Sequence, residues 1–173
     1  MLKRLALANN QRGMLAIQIM LIYIVFFFVA FVLTWALAQG ARIRATETYY
    51  NFQQALDYAV AEGATGKEYD LRLDQARVTR VFMSVFGEMI NSTPSGNRLV
   101  PRSGSSYPGA IEVVSVRGIH KGESIPGGQA KQDGFFVELN VPVFKANVPL
   151  IGEKYVTVPM KYFSVIQALD VGR

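Results

Sequence analysis

The chain has 173 residues, a net charge of +5, half of its residues apolar and no cysteine. Without cysteine there is no disulfide, no thiolate metal site and no thiol nucleophile. The positive balance, 18 Lys and Arg against 13 Asp and Glu, is slight and scattered, which argues against a nucleic-acid partner.

Residues 1–13 carry Lys3, Arg4 and Arg12 and no acid, and read as a basic cytoplasmic leader. From Met14 to Ala41 come 28 residues without Asp, Glu, Lys or Arg, MLAIQIMLIYIVFFFVAFVLTWALAQGA. A charge-free apolar run longer than about 18 residues predicts a transmembrane helix, because only a helix satisfies an isolated segment's backbone in hydrocarbon. At ~1.5 Å per residue the run reaches ~42 Å, more than the ~30 Å core of a bilayer. It is far longer than the ~7–15 apolar residues of a secretory signal, so it reads as an uncleaved anchor, although ALAQGA at 36–41 offers small residues of the cleavable kind. Membrane lipid is therefore the first partner. The leader holds +3 of the net charge and the rest +2. Short basic flanks stay cytoplasmic, which predicts a single pass through the cytoplasmic (inner) membrane with residues 42–173 outside. Arg42 and Arg44 at the exit oppose this weakly. Trp35 fits either an interfacial anchor or a packing residue.

The helical pattern continues past the span. Ala45, Tyr49, Phe52, Leu56 and Ala59 follow at spacings of three and four, an apolar stripe with Arg44, Glu47, Asn51, Gln53, Gln54 and Asp57 between them. Residues 42–63 are thus expected as a stalk continuing the spanning helix and stopping near Gly63. Gly40 reads as a bend, a close helix contact or a tolerated glycine. Within 64–97 a second helix is expected, capped by Asp70 or Asp74, with Val78, Val81, Phe82, Val85, Phe86, Met89 and Ile90 as its apolar face. Arg72, Arg77 and Arg80 lie on its other side and read as a solvated face, with phosphate or headgroup binding the sharper alternative. NSTPSGN is a turn cluster by composition.

Residues 98–173 turn β-prone. Strands are expected at 110–117, 135–144 and 155–169, with Pro142 and Pro159 at edges, bulges or junctions because proline cannot donate to a ladder. The Gly-rich stretch around 118–134 reads as a hairpin tip or a contact loop. The expected fold class is α+β: one N-terminal transmembrane helix extended into an amphipathic stalk, a second short helix, and a three- to four-stranded antiparallel sheet packed on the stalk. Some 130 residues beyond the span suffice for one core.

Catalytic and cofactor signatures are missing from this pattern. There is no phosphate-binding glycine loop, dinucleotide fingerprint or nucleophile elbow, and no metal-ligand spacing, so neither cofactor nor metal is expected. The single histidine, His120, stands in a glycine-rich loop with Ser124 nearby, and a solvated surface residue is the ordinary meaning of that setting. Glu68 and Asp70 sit in a charged turn where solvation is the default. An anchored extracytoplasmic hydrolase would have to rest on His120 and Ser124. No enzyme is expected.

A short basic leader, a glycine, an apolar helix running into an amphipathic stalk and then an antiparallel sheet resemble the plan of type IV pilins and pseudopilins. The likeness sits at QRG-MLAIQ, residues 11–18. It is more specific to TadE/TadF-like proteins of tight-adherence pilus systems, whose helix exit and terminal strands ARIRATETYYNFQQALDYAVAEGA and VELNVPVF…VTVPMKYFSV resemble. The resemblance implies a structural subunit of a cell-envelope filament or its assembly machinery, a homo-oligomer or partner of other pilus or secretion subunits. It implies a prepilin peptidase as a partner, cutting after Gly13 to leave Met14 as the first mature residue. Where the family places a glutamate five residues into the mature chain, this sequence has Gln18. In a filament Gln18, Phe26, Phe27, Phe28, Phe31 and Trp35 would pack against other subunits' helices; in an uncleaved anchor the same aromatics would meet lipid. A non-polymerising accessory subunit of a secretion or conjugation complex is the alternative from a different class.

Overall fold

A computed structural model describes residues 2–63, 71–148 and 152–166, with side chains at 14–63, 75–147 and 152–166. The chain divides into two compact units, Met1–Arg42 and Ile43–Arg173. Helix α1 spans Leu2–Gly63 and helix α2 spans Leu71–Met89. The helix thus begins in the leader, twelve residues ahead of the apolar run, and Gly13 lies inside it.

Among the described residues of the first unit the helix has no tertiary neighbour from Met14 to Ala38, where every side chain is exposed. Its apolar length is what makes it a candidate membrane span. Gly40 faces open space, with nothing within 4 Å of where a Cβ would stand.

The second unit is built by the 43–63 portion of α1, α2 and a sheet. Its strands are β1 (Ser92–Ser95), β2 (Arg98–Pro101), β3 (Ile111–Ile119), β4 (Ser124–Ile125), β5 (Gly128–Gln129), β6 (Gly134–Val148) and β7 (Gly152–Val165). Five of them form an antiparallel sheet in the order β1-β2-β3-β6-β7, and β4 pairs with β5 in a separate two-stranded ribbon. The expected three or four strands are therefore five, with the ribbon besides. The missed pair is hidden in NSTPSGNRLVP: Gly96, at φ 61, forms the turn with Asn97, but the Ser, Thr and Pro before it are an edge strand rather than part of the turn. A short edge strand needs few apolar residues, and only Leu99 on its partner β2 is driven fully inward.

The core lies between one sheet face and the two helices. Phe135, Val137, Leu139 and Val141 alternate along β6 and are fully buried, together with Phe52, Leu56 and Ala59 of α1 and Val78, Phe82 and Phe86 of α2. Ala45 and Tyr49 are partly buried against the same cluster, so the whole predicted stripe faces the core. Thr48, Ala55 and Val60 join it on the flanks. Met89, expected in the α2 face, is 44% exposed at the helix's last turn, while Met83 is buried. Gly63 ends α1 where a Cβ would come within 2.5 Å of Val78 Cγ2, so the missing side chain permits a close approach to α2. The cap at Asp70, with Glu68, lies outside the described residues; Asp74 lies inside α2 and is not its cap.

On the opposite sheet face Phe136 packs with Ile119 and Ala130, joined by Ile125 and Phe163, so the ribbon covers a small second cluster. Both prolines occupy positions that ask for no ladder N–H. Pro142 lies beyond the last β3–β6 pair, Glu112–Asn140, beside a register shift, and Pro159 sits on edge strand β7 opposite Asn140.

Candidate membrane-spanning and assembly surface

The surface singled out by the sequence is the exposed length of α1 in the first unit. From Met14 to Trp35 the rise is ~31 Å at ~1.5 Å per residue, which matches one hydrocarbon core. A span that begins at Met14 would put Trp35 at its far boundary, the setting of an interfacial anchor, while its exposure equally suits packing on another helix. The one threonine in the run, Thr34, is already satisfied: its hydroxyl donates to the Ala30 carbonyl at 2.8 Å, one turn back. Gln18 has no such internal partner among the described residues.

Helical phase divides the expected assembly residues. Phe27, Phe31 and Trp35 recur every fourth residue, and Phe28 lies ~60° from Phe31, so these four share one face. Phe26 falls roughly 140° from Phe31, and Gln18 an equal angle away on the other side. The aromatic residues therefore form a four-membered face with Phe26 and Gln18 outside it. The Gly13–Met14 bond lies within regular helix, so a peptidase needs local unwinding there before it can cut.

In the second unit three polar clips hold the stalk portion of α1 to the sheet and loops. The Arg44 guanidinium donates from Nη1 to the Val143 carbonyl of β6 at 3.1 Å. One of the two arginines that oppose the charge asymmetry of the span is thus committed to the fold. The buried Thr48 hydroxyl donates to the Arg44 carbonyl at 2.7 Å and shares a 2.6 Å hydrogen bond with the Tyr107 hydroxyl. Burial holds the Tyr107 phenol above its ordinary range, with the Thr48 bond acting against it. Asp57 accepts from Ser164 at 2.6 Å and from Tyr162 at 3.2 Å. Burial and the Asp57 carboxylate both raise the Tyr162 phenol. Tyr162 also packs edge-on to Tyr49 and Phe52, with ring centroids 6.4 and 6.1 Å apart. The sequence offers no signal for these clips beyond the polarity of each residue, because their partners lie 59 to 107 positions away.

The loop histidine lies in a turn braced by acids. His120 and Ser124 are both exposed. The His120 backbone N–H donates to Glu123 at 3.0 Å, and its ring Nδ1 stands 3.9 Å from Asp133. Asp133 itself accepts from the Lys121 N–H at 2.7 Å, so the acids here brace a turn. Among the described residues no group of three His, Cys, Asp or Glu could hold a metal. Arg77 and Arg80 are exposed on α2, as a solvated face requires.

No protein-family model, curated protein or solved structure matches the chain.

Proposed function

We propose that this chain is a membrane-anchored structural subunit, pilin-like or TadE-like, of a cell-envelope filament or its assembly machinery. The observation that carries the reading is the double use of α1. One stretch of the helix is apolar, free of charge and exposed; a later stretch supplies Phe52, Leu56 and Ala59 to the core of a folded domain. Such a helix anchors and builds at once. The protein sits in the cytoplasmic membrane with its N-terminus inside and the β-rich domain outside. The face of Phe27, Phe28, Phe31 and Trp35 meets other subunits' helices, and a prepilin peptidase is the processing partner.

Intact-mass measurement of membrane-extracted protein tests the processed form: a mature N-terminus at Met14 supports it and one at Met1 removes it. Photocrosslinking from Phe27 and Phe28 in the membrane tests polymerisation, with self-adducts expected. Adducts mainly to foreign proteins would favour the second reading, a non-polymerising accessory subunit of a secretion or conjugation complex. Two observations favour that alternative. Gln18 supplies no charge to pair with a neighbour's amine, and the Gly13–Met14 bond lies within helix.

A further inference from the structure

The outer side of the stalk portion of α1, opposite the core stripe, is neither plainly solvated nor apolar enough for lipid. It carries Glu47, Tyr50, Gln54 and Tyr58, all exposed, with Tyr50 at 61% and Tyr58 at 54%. Between positions 45 and 63 the helix has three acids, Glu47, Asp57 and Glu62, and no Lys or Arg. Large aromatic rings left on an exposed helix face, beside acids, are a common composition for a contact surface. Glu47 has no hydrogen bond or ion pair among the described residues.

The complementary surface is on α2. Arg77 and Arg80 are exposed, and among the described residues neither makes an ion pair or hydrogen bond. Between Asp74 and Glu88, the acids near its two ends, the helix has these two bases and no acid, and Glu88 is paired with Arg102 at 2.9 Å. The spacing also matches: Glu47 and Tyr50, like Arg77 and Arg80, are three apart on one helix turn, with Cβ atoms ~5–6 Å from one another.

We infer that the Arg77–Arg80 turn of one copy docks on the Glu47–Tyr50 turn of a second copy. One guanidinium pairs with the Glu47 carboxylate and the other stacks on the Tyr50 ring, a cation–π contact for which arginine is suited. Two different patches meet in this contact, so it is heterologous, and repetition gives a ring or an open filament. The inference rests on the structural-subunit reading and adds a contact outside the membrane span.

The natural absence of cysteine makes the test direct. Two differently tagged full-length chains, one Tyr50→Cys and one Arg80→Cys, are co-expressed in membranes and treated with a short bis-maleimide. The mixed 50–80 product is expected to predominate over either same-position dimer. Placing Arg77→Glu in the Arg80→Cys chain is expected to remove most of it, and adding Glu47→Arg to the Tyr50→Cys chain to restore it. All four positions are exposed, so unchanged thermal unfolding of each variant confirms the fold. Predominant 50–50 or 80–80 dimers, or no crosslink from folded protein, would overturn the inference. So would maleimide labelling of the Arg80→Cys thiol, in chains reconstituted into vesicles, that falls when phosphatidylglycerol replaces phosphatidylcholine without any effect on crosslinking, which would assign the basic turn to a membrane. Self-adducts from Phe27 without a 50–80 product would sink this contact and leave the subunit reading standing; loss of both would sink the two together.

Discussion

Two stretches of the same helix obey opposite rules. From Met14 to Ala38 every side chain is exposed, and apolar residues occupy all sides without period. From 45 to 60 the apolar residues recur every three or four positions, and those positions are the buried ones. Backbone and secondary structure are identical, so the difference lies in what each stretch exchanges for water. An all-round apolar helix needs an apolar solvent, whereas an amphipathic one needs a single partner face. Total hydrophobicity marks the anchor, and periodicity marks the core.

Substitutions can break that comparison, starting with the largest effect. Phe52→Ala removes the ring that contacts Phe82, Phe86 and Tyr162 at centroid distances of 5.7, 6.0 and 6.1 Å. It should cost about 3–5 kcal/mol, read by thermal or denaturant unfolding, while Phe27→Ala leaves the domain's unfolding unchanged. Equal losses from both would erase the distinction between the two stretches. Val29→Arg places a charge near the middle of the span at about 2.5–3.5 kcal/mol and should lower the fraction of chains inserted across the membrane without changing the domain's circular dichroism. Asp57→Ala, which removes an acceptor from Ser164 and Tyr162, should cost about 1–2 kcal/mol in the domain alone. The smallest effect is on pH dependence. Tyr107 and Tyr162 have folded-state pKa values raised above the ordinary phenol value, so each favours the fold while protonated. That contribution is full below the unfolded value and is lost as pH rises through the folded one. Stability should therefore fall above about pH 10, and Tyr107→Phe with Tyr162→Phe should flatten the slope.

Local patterns were legible and distant partners were not. The stripe from Ala45 to Ala59 and the α2 face from Val78 to Ile90 follow from spacing alone, Met89 excepted, because each helix face answers to one core. The β1–β2 hairpin carries no strand signal because Ser92–Ser95 has the composition of a turn, and an edge strand places little demand on its residues. β6 runs past the expected 135–144 to Val148, and β7 begins at Gly152 rather than 155, because the two continue as a ribbon beyond the last β3–β6 pair, where pairing no longer depends on burial. Arg44 reads as a flank charge until Val143, 99 positions on, is placed beside it. The aromatic cluster of the span was visible as composition, while helical phase sets Phe26 and Gln18 apart from Phe27, Phe28, Phe31 and Trp35.

The central proposal is that residues 14–41 cross the membrane with the leader inside and the domain outside. Single cysteines at Asn10 and Ser105, the only thiols in their chains, can be labelled with a membrane-impermeant maleimide in intact cells of a host without a prepilin peptidase, where the leader stays attached. The account predicts labelling at 105 in intact cells and at 10 only after lysis; labelling at 10 alone, or at both positions before lysis, would contradict it.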